Sequence, residues 1–158
     1  MNSKETGMKQ RTLILVKPDG VQRGLVGQII ARIEHRGLQI AAAKLIQLDQ
    51  DITEQHYGEH VSKPFFNGLV DFITSSPIMA MVIEGVDAIA VMRSTMGSTN
   101  PKESAPGTIR GDYGLSIGLN LIHGSDSIDS AKREIALFFS QSEIIDYSRD
   151  LDKWITES

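Results

Sequence analysis

Short apolar runs alternate along this chain with segments whose apolar positions recur at helical spacing, and that order constrains the fold more than any other feature. Thr12-Leu-Ile-Leu-Val16 reads as a buried strand, closed by the turn chemistry of Lys17-Pro-Asp-Gly20. From Leu25 to Arg36, the residues Leu25, Ile29, Ile30 and Ile33 share one helical face, and Gly37 is placed to cap that helix in a left-handed conformation. Residues Leu38 to Leu48 read as a strand. Asp51 with Glu54 three positions later then marks the start of a short helix, and another helix follows Pro64. Ile78 to Ile83 reads as a strand, Asp87 to Met96 as a helix stopped by Gly97, and Gly118 to His123 as a last core strand. Beyond it, Ser125, Asp126 and Ser127 offer N-cap oxygens to a helix with Ile128, Ala131, Ile135 and Phe138 on one face.

Two strand-helix-strand passages in this order predict an α+β fold of the ferredoxin-like sandwich type: one antiparallel four-stranded sheet with helices packed on one face. With 158 residues the chain has room for one ordinary domain, expected over 11–158 behind a polar N-terminal tail at 1–10. There is no cysteine, which removes thiol catalysis, cysteine-ligated zinc and iron–sulfur clusters. A formal charge of -4 argues against general attraction to nucleic acid or anionic lipid, so any anion site has to be built locally. No apolar run reaches the length of a membrane span and the first residues are polar, so a soluble, cytoplasmic protein is expected.

Chemistry concentrates where the last strand meets the last helix. His123, in Asn120-Leu-Ile-His-Gly-Ser-Asp-Ser127, ends a strand directly before a helix N-terminus, whose free N–H groups and positive dipole end favour a phosphate. Glu134, about two turns into that helix, is placed to return a carboxylate to the imidazole, fixing its tautomer and leaving the other nitrogen as a nucleophile; a solvated Glu134 is the plainer alternative. His123, Ser125 and Asp126 lie too close in sequence to line up as a hydrolase triad, and no Gly-x-Ser-x-Gly elbow accompanies them. His56-Tyr-Gly-Glu-His60 matches the pattern of one zinc peptidase class, but Gly58 and nearby Pro64 make a poor helix for it. No phosphate-binding loop of the Gly-x4-Gly-Lys-Ser/Thr kind occurs. Phosphates would therefore need scattered cations, with Lys17, Arg93 and Arg110 as candidates and Thr99 as a hydroxyl donor. Arg110 lies in a long irregular stretch at 97–115, of a length more often functional than idle.

Taken together, residues 120–127, Val16-Lys-Pro-Asp-Gly20, Ser98-Thr-Asn-Pro101 and Pro106-Gly-Thr-Ile-Arg-Gly-Asp112 resemble, in order and spacing, the motifs of the nucleoside diphosphate kinase family over about Arg11 to Ile155. The resemblance implies an enzyme that moves the γ-phosphoryl group of a nucleoside triphosphate such as ATP to a nucleoside diphosphate by a ping-pong mechanism, through a phosphohistidine at His123. It implies that Glu134 orients that histidine and that Tyr57 and Ser125 support the reacting group. Lys17, Arg93, Thr99 and Arg110 would hold phosphates, Asn120 and Lys17 the ribose, and Phe65 the base. Magnesium is implied as the cofactor, carried mainly by the substrate phosphates rather than by a protein cage, and broad base specificity follows from stacking on an aromatic face. A homohexamer is implied by the Pro101 loop and the C-terminal Asp152-Lys-Trp-Ile155, with a homotetramer as the alternative. Leu119 departs from the family pattern, standing where many relatives carry an arginine. A binding module without turnover is the main rival, and it has no need of His123, Glu134 and the cations together.

Overall fold

The computed structural model describes residues 7–157, so the first six residues of the expected tail lie outside the described residues. The elements run β1 (Lys9–Val16), α1 (Pro18–Gln22), α2 (Val26–His35), β2 (Gln39–Ile46), α3 (Gln50–His56), α4 (Phe66–Ile73), β3 (Ile78–Val86), α5 (Ala88–Met96), α6 (Ile109–Tyr113), β4 (Ile122–Gly124) and α7 (Ile128–Phe138). β1 therefore takes in Lys9 and Gln10, which composition alone assigned to the tail. The strands form one four-stranded sheet in the order β2-β3-β1-β4, every neighbouring pair antiparallel.

The sheet is covered on both faces, not on one. Along β1 and β3, Ile14, Val16, Met81 and Ile83 pack against Ile29 and Ile33 of α2 and Met92 of α5. The alternate residues Leu13, Leu15, Ala80 and Val82 pack against Ile73 of α4 and Phe138 of α7. A strand with one wet face alternates apolar and polar residues, whereas Leu13 to Val16 are apolar at every position and fully buried. Each such side chain contributes ~1.5–3 kcal/mol by burial.

Local chemistry moves several boundaries. Lys17 to Gly20 enters a short helix rather than a simple turn, because Pro18 pre-sets the first helical position. The cap of α3 is Asp49, whose Oδ1 accepts from Ile52 N at 2.9 Å, not Asp51. Gly37, at φ +99°, ends α2 in the expected left-handed conformation. The last strand is only Ile122–Gly124, because Leu121 lies at φ +73° and Ile117–Leu119 form a 3₁₀ turn. Residues 97–115 are not an idle loop: they hold a 3₁₀ turn at Pro101–Glu103 and α6, which Thr108 caps by accepting from Gly111 N at 3.0 Å. No helix among the described residues is long and apolar enough to cross a membrane.

Candidate active site

His123 lies on β4 opposite Leu15 of β1, so the central strand fixes its backbone. Its Nε2 is 2.5 Å from Glu134 Oε1. The histidine side chain is 26% exposed and the carboxylate 4%, which leaves the ring reachable and its partner sealed. The solvated alternative for Glu134 is thus excluded: α7 turns this residue inward beside Ala131 and Phe138. Burial works to raise the Glu134 carboxyl, but the hydrogen bond from His123, that ring's charge and a hydrogen bond from the Ser125 hydroxyl outweigh it and hold the group below the ordinary value. An ionised carboxylate only accepts, so Nε2 carries the proton, and in the neutral ring Nδ1 holds the free lone pair.

Ser125 is not a helix cap. Its Oγ accepts from Leu13 N at 3.2 Å and its N donates to Leu13 O at 3.1 Å, tying the strand end to β1. The cap of α7 is Ser127, whose Oγ accepts from Ser130 N at 3.1 Å. Asp126 is exposed at the same helix start and held below its ordinary pKa first by a hydrogen bond from the Ser130 side chain.

Behind His123 stands His56, ring edge to ring face with centroids 5.0 Å apart. Burial, and then the charge of His123, push His56 down to about 3 against the pull of Glu134, so it is neutral at physiological pH. The peptidase-like pattern at 56–60 fails on backbone grounds, because α3 stops at His56 and Gly58–His60 form a separate 3₁₀ turn. Among the described residues the His/carboxylate group compact enough to hold a metal is His56, His123 and Glu134, without His60. Tyr57 packs on His56 with centroids 4.6 Å apart, and burial followed by the Glu134 charge pushes its hydroxyl up to about 12, so it remains a donor.

The expected phosphate and ribose residues meet on the backbone that leads into β4. Lys17 Nζ donates to Asn120 Oδ1 at 2.8 Å, and Asn120 Nδ2 donates to Thr99 O at 3.0 Å. Arg93 Nη1 donates to Gly124 O at 3.2 Å. Arg110 is buried and donates to Asn120 O at 3.1 Å, Gly97 O at 3.1 Å and Ile122 O at 2.6 Å. Three of its five N–H donors thus tie together the end of α5, the turn before β4 and the first residue of β4, a structural duty that its sequence position does not show. Burial and then Arg110 push Lys17 down to about 8; burial and then Arg93 push Arg110 down to about 10.

A cleft of about 200 Å³ opens onto His123, lined also by Tyr57, His60, Arg93, Asp126 and Glu134. Phe65 stands outside that lining, 52% exposed, its ring centroid 5.4 Å from that of His60. Asp19 and Leu121 were not singled out from the sequence. Asp19 Oδ2 accepts from Leu121 N at 3.0 Å while Lys17 N donates to Leu121 O at 2.8 Å, and this clamp holds Leu121 in its left-handed conformation two residues before His123. The only sequence signal was Asp19 inside Lys17-Pro-Asp-Gly20.

The sequence and the fold of the chain both have known relatives. The family model described as nucleoside diphosphate kinase matches residues 10–144. A nucleoside diphosphate kinase of Desulforamulus reducens is 57% identical over 94% of this chain and 99% of its own length. One of Staphylococcus aureus is 54% identical over 94% and 99%. Among solved structures, a halophilic nucleoside diphosphate kinase from Halobacterium salinarum in complex with CDP superposes with a TM-score of 0.92 at 52% identity, covering 95% of this chain and all of that one. A nucleoside diphosphate kinase family protein from Babesia bovis superposes with a TM-score of 0.91 at 47% identity, covering 93% and 99%.

Proposed function

The chain belongs to the nucleoside diphosphate kinase family, enzymes that transfer a phosphoryl group between nucleotides, and from that premise we propose that His123 Nδ1 is the atom that carries it. The observation that bears this reading is the bond of 2.5 Å between His123 Nε2 and the sealed Glu134 carboxylate, which leaves Nδ1 as the ring's lone pair beside the cleft. In the first half-reaction Nδ1 attacks the γ-phosphorus. The N–P bond forms, the bond to the β,γ-bridging oxygen breaks, and its electron pair leaves on the nucleoside diphosphate. The ring gains positive charge while Nε2–H stays bonded to Glu134, whose charge stabilises the transition state. A second diphosphate then attacks the same phosphorus and restores the ring.

Phosphoryl transfer needs positioning and charge neutralisation more than covalent chemistry. Lys17, Arg93, Arg110 and Thr99 are assigned to the phosphates, Asn120 with Lys17 to the ribose, and Phe65 to the base. Tyr57 and Ser125 support the His123–Glu134 pair. Asp126, ionised at the cleft rim, is a hard oxygen donor that would help to hold Mg²⁺ arriving on the phosphates. When bound, Mg²⁺ neutralises phosphate charge. The family's role in nucleotide metabolism supports a cytoplasmic site of action. Leu115, Ile117, Leu119 and Trp154 are 76, 59, 50 and 82% exposed on the single chain, which supports self-association, with a homohexamer favoured over a homotetramer. We assign the chain from Lys9 onward to one catalytic domain, two residues earlier than expected because β1 begins there.

The test is steady-state kinetics. Initial rates with varied ATP at several fixed dTDP concentrations should give parallel double-reciprocal lines. Lines that intersect mean direct transfer in a ternary complex and sink the histidine relay.

A further inference from the structure

His56 is buried at the site with both of its polar atoms unmatched: neither ring nitrogen has a hydrogen-bond partner among the described residues. Sealing such an atom without a partner costs about 1–3 kcal/mol, so a fold keeps one where something else meets it. The phosphoryl relay assigns no bond to either nitrogen. His56 Nδ1 stands 3.9 Å from Glu134 Oε1, beyond hydrogen-bond reach. One ligand atom from each of His56, His123 and Glu134 lies within 4.8 Å of the other two.

We propose that His56, His123 and Glu134 form a binding site for a zinc-class divalent cation that competes with phosphorylation of His123. Two imidazoles and one carboxylate, with a further position open to a cleft, are the ligand set of open zinc sites. It is a poor set for Mg²⁺, which prefers oxygen ligands, so the site is distinct in chemistry from the cation that arrives on the nucleotide. Ligand bonds of about 2.0–2.2 Å put tetrahedral donors about 3.3–3.6 Å apart. The His56–Glu134 separation has to close by a few tenths of an ångström, the His56–His123 pair, within 4.8 Å, by up to about 1.5 Å, and the His123–Glu134 contact has to open by about 1 Å. Zinc takes the place of the proton between His123 Nε2 and Glu134 Oε1, and the ring keeps its one proton on Nδ1, because a ligating imidazole is neutral. Arg93 and Arg133 on the same cleft oppose the cation, while Asp126 and Glu59 offset them. With zinc on Nε2 and the proton on Nδ1, the lone pair that would attack phosphorus is gone, so the ring takes up phosphate more slowly. This inhibitory consequence rests on the phosphohistidine reading; binding does not.

The experiment is titration of the metal-stripped full chain, without nucleotide, with zinc alone by calorimetry and with cobalt(II) followed by visible absorption. One ion per chain is expected, with the intense d–d bands of four-coordinate cobalt. Binding should weaken by about tenfold or more in both His56→Phe and His56→Asn, each checked for a native melting transition, and should be unchanged in His60→Asn. Absence of binding, or equal binding by the His56 variants, overturns the proposal and leaves buried water as the partner of His56. Zinc that binds as expected but does not slow uptake of label from γ-labelled ATP overturns the competition alone. Failure to take up label even without zinc is a failure of the phosphohistidine reading instead.

Discussion

Glu134→Gln isolates what the carboxylate charge does, because glutamine keeps the length and shape of the side chain. The charge lies beside His123 Nε2 in a buried setting, and a unit charge pair at 4 Å in an effective dielectric of about 20 interacts by about 4 kcal/mol. The imidazole is only partly charged at the transition state, so about 2–3 kcal/mol of that attraction is lost, a slowing of phosphoryl uptake of about 30- to 150-fold. A glutamine can also turn its NH₂ toward Nε2 and donate, which moves the ring proton to Nδ1 and blocks the nucleophile. Glu134 spends its carboxylate on His123 and Ser125 and makes no ion pair with Lys17, Arg93 or Arg110, so ADP affinity should stay within about twofold. The assay is rapid-quench measurement of protein-bound label from γ-labelled ATP, with equilibrium dialysis of ADP on the same variant. Uptake within about threefold of the parent, or a parallel loss of ADP binding, would refute the reasoning that Glu134 acts through the His123 ring.

Other consequences follow from the same contacts. Lys17, pushed down to about 8 by burial, loses its charge as pH rises, so kcat/KM should fall as pH rises through about 8, and Lys17→Arg should move that fall upward; a flat profile across this range contradicts its assignment. Arg110→Ala removes donors from the Gly97, Asn120 and Ile122 carbonyls as well as a phosphate charge. It should therefore lower both turnover and stability, the latter by ~1–3 kcal/mol, seen as a melting temperature about 5 °C lower; an unshifted melt means that the carbonyls find other partners. Phe65→Ala should raise KM about tenfold for purine and pyrimidine nucleotides alike with kcat preserved, since a stacked base is worth ~1–3 kcal/mol; an effect on one base class alone argues for edge recognition.

The order of strands and helices was legible because apolar spacing changes with the element it belongs to, as Leu13 to Val16 and the Ile29/Ile33 pair show. The second covered face was also written in β1, whose unbroken apolar run has no wet side. The shortness of β4 was not legible, because nothing about a leucine announces φ +73°; that conformation is imposed from a distance by Asp19 and Lys17. The site residues could be named from motif order, yet their division of labour is tertiary. Arg110 reads in sequence as a phosphate cation on an irregular stretch, and in the fold it also spends donors on three backbone carbonyls. Gly58 and Pro64 already argue in sequence against a helical His56/His60 pair, but nothing there shows that His56 stands behind His123 at the end of α3.

The central claim is that His123 itself carries the phosphoryl group. Mixing the protein with γ-labelled ATP and magnesium without acceptor, then denaturing it, should leave protein-bound phosphate that is acid-labile, alkali-stable, discharged by GDP before denaturation, and absent in His123→Ala. Folded protein that binds nucleotide but retains no label, or a His123→Ala variant that retains it, would contradict the account.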